Sequence, residues 1–187
     1  MTTTFEGPVE TVIPPMAMPE PAPAAPGAVA QKGLVIIDWS GEYDKVMPTL
    51  ILASTAAASG VPTKVFLTFW GLLPFVKDDR RITGENWMQK MMSAMSRPGI
   101  DHRPLSKMDF LGMGPWMMNR LAKQQKNASP RELLEIAQSM GVEFIPCQMT
   151  MDMFGLKRED LIDGMGDPVG AATVIGLLAE GAAPLFI

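Results

Sequence analysis

Two stretches of the sequence predict the first strands: Lys32–Trp39, KGLVIIDW, and Thr63–Trp70, TKVFLTFW. In the first, Leu34 to Ile37 are apolar without interruption, and the run closes on Asp38. A short apolar run without alternation is typical of a parallel strand that is buried on both faces. The second stretch is rich in β-branched and aromatic residues, which favour strands. We therefore predict two strands of one parallel sheet.

A helix is predicted between these two strands, over Tyr43–Ser59, and Gly60 ends it. Strand, helix and strand together make a βαβ unit, whose crossover is right-handed. Further helices are predicted over Glu85–Ser96, Pro115–Lys126 and Pro130–Met140. The last of these is preceded by a serine and carries a glutamate in its first turn, which is the pattern of a capping box.

The C-terminal part continues the alternation of strands and helices. The residues VEFIPC at 142–147 are typical of a strand, and a short helix is predicted after them. The last helix is predicted with Asp167 as its N-cap and Pro168 as its first residue. PLFI at 184–187 is predicted as the final strand. The whole pattern predicts an α/β fold, a three-layer α/β/α sandwich around a mainly parallel sheet of four or five strands.

Composition and charge exclude several classes of protein. The chain has 187 residues, of which 47% are hydrophobic and 19% charged, as in ordinary globular proteins. A net charge of −4 argues against a nucleic-acid surface, and no apolar run is long enough for a membrane span. A single cysteine and an N-terminus without a signal-peptide pattern predict a cytoplasmic protein.

Residues 1–31 differ in composition from the rest of the chain. The segment PPMAMPEPAPAAPGAVAQ at 14–31 is rich in proline and alanine and has no apolar period. Such a composition predicts a disordered tail with polyproline-like stretches, either an inert linker or a docking segment for a partner. The folded part is predicted over residues 32–187.

Common cofactor and metal motifs are absent from the sequence. It contains no GxxxxGK[ST] phosphate loop, and the glycines of Gly164–Gly170 have the wrong spacing for a dinucleotide fingerprint. His102 is the sole histidine, and with one cysteine it cannot complete a four-ligand structural zinc site. We expect no cofactor and no metal, and we interpret His102 as a loop residue.

Cys147 is the residue with the clearest chemical potential. It lies between a predicted strand and a predicted helix, and reactive groups of parallel α/β sheets gather at the carboxyl ends of strands. A helix start favours the thiolate, which is the nucleophilic form of cysteine. Gln148 and Thr150 are candidate hydrogen-bond donors beside the sulfur. The alternative interpretation is a small, buried structural residue.

The segment FIPCQMTMDMFGLKREDLIDG at 144–164 resembles the DsrE/DsrF-like family, in the branch with a CQMTMD-type motif. The resemblance extends to LTFWGL at 67–72 and LILASTAAASG at 50–60, so it covers about residues 32–187. It implies a parallel α/β domain that forms homo-oligomers and carries sulfane sulfur on a cysteine, here Cys147. It also implies TusA-type carriers and heterodisulfide-reductase-like complexes as partners, in sulfur oxidation or sulfur relay.

From this resemblance we expect a sulfur carrier or sulfurtransferase, which holds a persulfide or thiosulfonate on Cys147 and exchanges it with a TusA-type partner. Some members of the family have further cysteines after the second strand, whereas Trp70–Met113 contains none. A mechanism that needs two cysteines in one chain therefore lacks its second residue here.

Two other functions remain open at this point. One is a thiol-based protein that reduces or senses peroxide, although Met140 and Phe144 occupy the Pro and Thr positions of the PxxxTxxC signature. The other is a scaffold in which Cys147 is structural. For the expected homo-oligomer, the candidate contact residues are methionines at helical spacing and those of the next helix: Met88, Met91, Met92, Met95 and Met113–Met118.

Overall fold

The structure is a computed structural model that describes residues 32–79, 99–107, 113–124 and 127–187. The predicted tail over residues 1–31 and the predicted helix over Glu85–Ser96 lie outside these ranges. The disorder of the tail and the contact role of the methionines in that helix therefore stay predictions.

Four strands and five α-helices are found in the described residues. The strands are β1 (Leu34–Asp38), β2 (Thr63–Leu67), β3 (Glu143–Pro146) and β4 (Ala183–Phe186). The helices are α1 (Tyr43–Ala58), α2 (Met113–Gln124), α3 (Pro130–Ser139), α4 (Gln148–Phe154) and α5 (Ala171–Ala179). A 3₁₀ helix, Phe69–Phe75, follows β2, and His102 ends a shorter one, Ile100–His102.

The strands form one parallel sheet in the order β3-β2-β1-β4. In its register Asp38 pairs with Leu67, and Leu67 pairs with Pro146, so the carboxyl ends of β1, β2 and β3 lie side by side. We call this side of the sheet the carboxyl edge. The predicted parallel sheet is confirmed, with four strands.

A short extended segment, residues 165–169, runs beside β3 as an incomplete fifth strand. Isolated parallel bridges join Met165 to Phe144 and Val169 to Cys147. The N–H of Gly166 donates to Phe144 O at 2.7 Å. The segment therefore covers the outer edge of β3.

The predicted start of the last helix is wrong, because the extended segment beside β3 delays the helix. Helix α5 begins at Ala171, later than the predicted first residue Pro168. The N–H of Val169 donates to Pro146 O at 3.0 Å, and the Val169 carbonyl accepts from Gln148 N at 3.0 Å. These bonds to the chain around the end of β3 hold the backbone extended where the local capping pattern favours a helix.

Helices cover both faces of the sheet, which makes three layers. On one face Ile36 and Val65 pack with Val46 and Leu50 of α1 and with Leu134 of α3. On the other face, the alternate strand residues form a smaller cluster with one helix. This cluster is called the α5-side cluster and consists of Val35, Phe66, Ile145, Cys147 and Val174.

The capping box before α3 is present as predicted. Ser129 Oγ accepts from the N–H of Glu132 at 3.3 Å, and the Glu132 carboxylate accepts from the N–H of Ser129 at 2.7 Å. Both bonds satisfy N–H groups that the first turn of a helix leaves without a partner. Within the described ranges, no helix combines the length and apolar character that a membrane crossing requires.

Candidate functional site

Cys147 lies at the carboxyl edge, between β3 and α4. It is the N-cap residue of α4, with an extended backbone at φ −78° and ψ 118°. Its N–H donates to Leu67 O at 2.9 Å, and its carbonyl accepts from Met151 N at 3.0 Å. The residue thus belongs to the sheet through its N–H and to the helix through its carbonyl, as the position between strand and helix predicts.

The thiol is more buried than its position in the sequence indicates. Cys147 is 7% exposed and belongs to the α5-side cluster, among Phe66, Ile145 and Val174. Its side chain lies on the face that α5 covers, since alternate strand residues point to opposite faces. Most of the Cys147 side chain is therefore out of contact with solvent.

The two candidate supporting side chains make their hydrogen bonds to other groups. Gln148 Nε2 donates to Asp152 Oδ1 at 2.7 Å, one turn further along α4. Thr150 is 2% exposed, and its Oγ1 accepts from the N–H of Phe69 at 3.0 Å. Thr150 Oγ1 also lies 3.3 Å from Thr68 Oγ1. Thr150 thus joins the first turn of α4 to the turn after β2.

Phe69 has a backbone conformation that the sequence did not reveal. Its φ is +47°, the one positive φ of a residue other than glycine in the described chain. A bulky residue in this region is a genuine outlier, and the strain costs about 1–3 kcal/mol. The next residue, Trp70, stacks on Phe154 of α4 with ring centroids 5.6 Å apart. The turn after β2 is therefore fastened to α4 at both ends of that helix.

Asp38 is a second polar residue at the carboxyl edge that the sequence-based site did not include. It is fully buried at the end of β1, and its Oδ1 accepts from the N–H of Ser40 at 3.3 Å. Burial raises the pKa of Asp38 to about 7, although Ser40 and Thr49 lower it, and nearby Glu42 raises it further. Asp38 Oδ2 and Thr49 Oγ1 are both buried, and neither makes a hydrogen bond of normal geometry.

Asp38 does not lie in the same layer as the thiol. One strand, β2, separates β1 from β3, so the two strand ends are about 10 Å apart. Asp38 also points to the α1 side, because it alternates with Ile37 and Val35 of the opposite face. In the sequence, Asp38 is marked by its place at the end of an apolar run. Its burial could not be predicted from that pattern, because it depends on the packing of α1.

Arg103 adds a buried guanidinium near the end of β1. It is 7% exposed, and its Nε donates to Gly41 O at 2.7 Å. Burial lowers its pKa, and the charge of Glu42 partly offsets this effect. Ser40 Oγ in turn donates to the carboxylate of Glu42. Together, the bonds of Arg103 to Gly41 and of Ser40 to Glu42 stabilise the loop between β1 and α1.

Half-exposed aromatic side chains surround the strand ends. Trp39 and Phe186 are 50% and 65% exposed, with ring centroids 6.1 Å apart. Phe69 and Trp70 are 50% and 46% exposed. These four residues are called the aromatic rim. Among the described residues, no group of three or more His, Cys, Asp or Glu side chains could hold a metal ion.

Comparison with known proteins identifies the family. Residues 30–186 match the DsrE/DsrF/DrsH-like family, which agrees with the resemblance seen around Cys147. The chain belongs to the DsrE/DsrF/DrsH-like family. The family match covers all four strands and the cysteine.

This DsrE/DsrF/DrsH-like chain has two similar relatives in bacteria. It is 37% identical to the uncharacterized protein YrkE of Bacillus subtilis over 156 residues, which cover 83% of this chain and 97% of YrkE. It is 35% identical to the sulfur carrier protein DsrE2 of Allochromatium vinosum over 168 residues, which cover 84% of this chain and 99% of DsrE2. Both relatives therefore match over nearly their full length.

A solved structure shares the fold of this family member. The crystal structure of the ychN protein from E. coli superposes with a TM-score of 0.51 at 14% identity and covers 83% of this chain and 99% of ychN. This likeness supports the α/β fold with its parallel sheet.

Proposed function

We propose that this DsrE/DsrF/DrsH-like protein is a sulfur carrier or sulfurtransferase that holds sulfane sulfur on Cys147. The observation that carries the proposal is the position of the chain's one cysteine at the carboxyl edge, at the start of α4. Reactive groups gather at this edge in parallel α/β proteins. The similarity to a protein named as a sulfur carrier supports the same function.

The transfer requires only the thiolate of Cys147 and a sulfane-sulfur donor. The thiolate attacks the outer sulfur of a donor persulfide or polysulfide, and a new S–S bond forms on Cys147. The S–S bond of the donor breaks, and the donor leaves as a thiolate. An acceptor thiolate later attacks the outer sulfur in the same way and restores the Cys147 thiolate. No net oxidation or reduction occurs, and no cofactor takes part.

The burial of Cys147 suits the storage of such a cargo. Oxidation of a sulfur atom follows its exposure and thiolate character. A persulfide formed among Phe66, Ile145 and Val174 is shielded from other thiols and oxidants on most sides. With no second cysteine in the chain, no internal disulfide can form and release the cargo. Cys147 thus combines access at the edge with protection in the core.

For partners, we propose a TusA-type sulfur carrier protein, and a heterodisulfide-reductase-like complex as a further one, in cytoplasmic sulfur relay or sulfur oxidation. The aromatic rim offers these proteins an apolar docking surface around the strand ends, since aromatic residues dominate the centres of protein interfaces. We also propose that the protein works as a homo-oligomer. The similarity to a protein named as a sulfur carrier supports a partner in sulfur relay.

The test is the uptake of sulfur by the native protein. Wild type is incubated with inorganic polysulfide and analysed by intact mass spectrometry, and we expect added masses of one or more sulfur atoms. Cys147→Ala should abolish them and preserve the fold, because alanine suits an apolar site. Cys147→Ser should also fold, since a serine at the N-cap can accept a hydrogen bond from the first turn of α4.

The alternatives give different results in the same assay. A thiol that stays silent towards polysulfide and towards iodoacetamide indicates a structural cysteine and contradicts the carrier function. Rapid oxidation by hydrogen peroxide together with no sulfur uptake indicates a peroxide-reactive thiol instead. Sulfur uptake by Cys147→Ala would place the cargo elsewhere and contradict the assignment of Cys147.

A further inference from the structure

Three main-chain N–H groups bond the start of α4 to its neighbours in the fold, and only one of these bonds has a side-chain acceptor. The N–H of Cys147 donates to Leu67 O at 2.9 Å, and the N–H of Gln148 donates to Val169 O at 3.0 Å. Both bonds join main-chain atoms, so any residue type other than proline can make them. The third bond runs from the N–H of Phe69 to Thr150 Oγ1 at 3.0 Å. It exists because position 150 carries a hydroxyl.

This third bond also concerns the strained residue. The N–H of Phe69 lies in the first turn of a 3₁₀ helix, where main-chain donors lack partners within the helix. Thr68, the N-cap residue, makes no side-chain cap bond. Thr150 therefore supplies the acceptor for a residue whose backbone is left-handed at φ +47°. A conformation of this kind persists only when surrounding contacts hold it.

The burial of Thr150 adds weight to this bond. Thr150 is 2% exposed, and Thr68 Oγ1 lies 3.3 Å from its hydroxyl. If the hydroxyl is replaced by a methyl group, the part-buried N–H of Phe69 loses its acceptor. Phe69 can then relax towards negative φ, and the turn after β2 keeps its contact with the far end of α4 through Trp70 and Phe154 but loses its bond to the first turn. The first turn of α4, which begins next to Cys147, loses its lateral support.

We propose that Thr150 is a positioning residue of the sulfur site: through Phe69 it holds the first turn of α4, and with it Cys147, in the geometry that accepts sulfur. This inference rests on the sulfur-carrier function proposed above. Thr150 acts through the protein and not on the sulfur atom. A small displacement of a nucleophile lowers the reaction rate strongly, since about 1 Å can cost two orders of magnitude.

The test compares three substitutions of buried threonines. Thr150→Val keeps the shape and removes the hydroxyl, and Thr150→Ser keeps the hydroxyl. The matched control is Thr63→Val at the opposite end of β2, where Thr63 is 4% exposed and its Oγ1 donates to Val61 O at 2.8 Å. The measurements are the rate of persulfide formation from inorganic polysulfide, the rate of alkylation of Cys147 by iodoacetamide, and the urea midpoint of unfolding.

We expect Thr150→Val to slow persulfide formation by about tenfold, Thr150→Ser to stay within about threefold of wild type, and Thr63→Val to load at the wild-type rate. Thr150→Val and Thr63→Val should lower the urea midpoint by similar amounts. If Thr150→Val does not fold, Thr150→Ala replaces it, because alanine favours the helix and offsets part of the lost bond.

The outcomes separate this inference from the proposed function. Wild-type loading by Thr150→Val, or an equal loss of loading in Thr63→Val, overturns the positioning role and leaves the carrier function intact. If wild type takes up no sulfur, the carrier function is contradicted. The rate of alkylation of Cys147 by iodoacetamide then tests the positioning role by itself. That role requires Thr150→Val to differ in this rate from both Thr150→Ser and Thr63→Val.

Discussion

The carboxyl group of Asp38 packs directly against Gly71: a Cβ at position 71 would lie 2.9 Å from Asp38 Oδ1 and nearer still to the Asp38 carbonyl oxygen. The same carbonyl accepts from the N–H of Thr68 at 2.9 Å. The end of β1 and the turn after β2 therefore form one packed unit. Because that turn also carries Phe69, which is bonded to Thr150, the buried acid and the start of α4 are linked through a single turn.

The contact between Gly71 and Asp38 predicts the effect of a single methyl group. Gly71→Ala should destabilise the protein by about 1–3 kcal/mol, because the nearest atoms to the new Cβ belong to the main chain of Asp38, which cannot rotate away as a side chain can. The matched control is Gly176→Ala in α5, where a Cβ meets open space and alanine favours the helix. Urea denaturation measures both free energies of unfolding. Equal stability of the two variants would contradict the tight contact.

Asp38 predicts how the stability of the protein depends on pH. The pKa of its carboxyl is about 7 in the folded protein, against an ordinary value of 3.8. Between these two values the folded state binds a proton that the unfolded state has lost. The contribution of the protonated Asp38 carboxyl to the free energy of unfolding is therefore fully present below about pH 4. It decreases as the pH rises and is lost above about pH 7. Its upper limit is about 4 kcal/mol.

Asp38→Asn tests this dependence. The amide cannot ionise, its oxygen still accepts from Ser40, and its NH₂ group can donate to Thr49. Between about pH 4 and pH 7, wild type should become less stable as the pH rises, whereas the stability of Asp38→Asn should not show this decrease. Asp163→Asn, which removes a carboxylate that is 98% exposed, should keep the wild-type decrease. Urea midpoints across this range provide the measurement, and parallel curves for wild type and Asp38→Asn would refute the role of the buried carboxyl.

The exposed apolar residues of α2 carry the prediction of a homo-oligomer. Met113, Trp116 and Leu121 are 57%, 60% and 50% exposed, an unusual amount of apolar surface for one helix. We expect wild type to have a solution mass of several times 20.3 kDa by light scattering. Trp116→Glu should lower this mass, because a charge in an apolar contact is costly. Met140→Glu, at a 47% exposed position after α3, should leave it unchanged.

A monomer mass for wild type at micromolar concentration would overturn the oligomer prediction. If Trp116→Glu and Met140→Glu both lower the mass, a negative charge dissociates the assembly at either position. That result would contradict α2 as the contact surface.

The aromatic rim predicts a separation between docking and sulfur chemistry. Trp39→Ala should reduce sulfur transfer to a TusA-type carrier by about tenfold or more, as expected for a central aromatic residue of an interface. Loading from inorganic polysulfide should stay at the wild-type rate, because Trp39 is not part of the support of α4. Ile51→Ala, at a 45% exposed position on α1, serves as the control. A Trp39→Ala protein that transfers sulfur normally would exclude the rim as the docking surface.

Local patterns in the sequence were sufficient for most elements near the site. Three predicted features depend only on residues close in the chain: the apolar run of β1, the β-branched run of β2 and the capping box at Ser129. All three are present in the structure. The position of Cys147 between strand and helix is local in the same sense. The motif around Cys147 also identified the family, which the comparison over residues 30–186 confirms.

The tertiary structure decided what depends on partners distant in sequence. Pairing with the end of β3 keeps Val169 extended and delays α5 against its local capping pattern. The packing of α5 buries Cys147, and the packing of α1 buries Asp38 and raises its pKa.

The bond from Phe69 to Thr150 spans 81 residues of sequence, so no local pattern could predict it. The sequence determined which residues form strands and helices, because that choice follows from period and capping within a few residues. The tertiary structure decided which side chains lose contact with water and which donors meet which acceptors. Those properties arise only when segments far apart in the chain pack together.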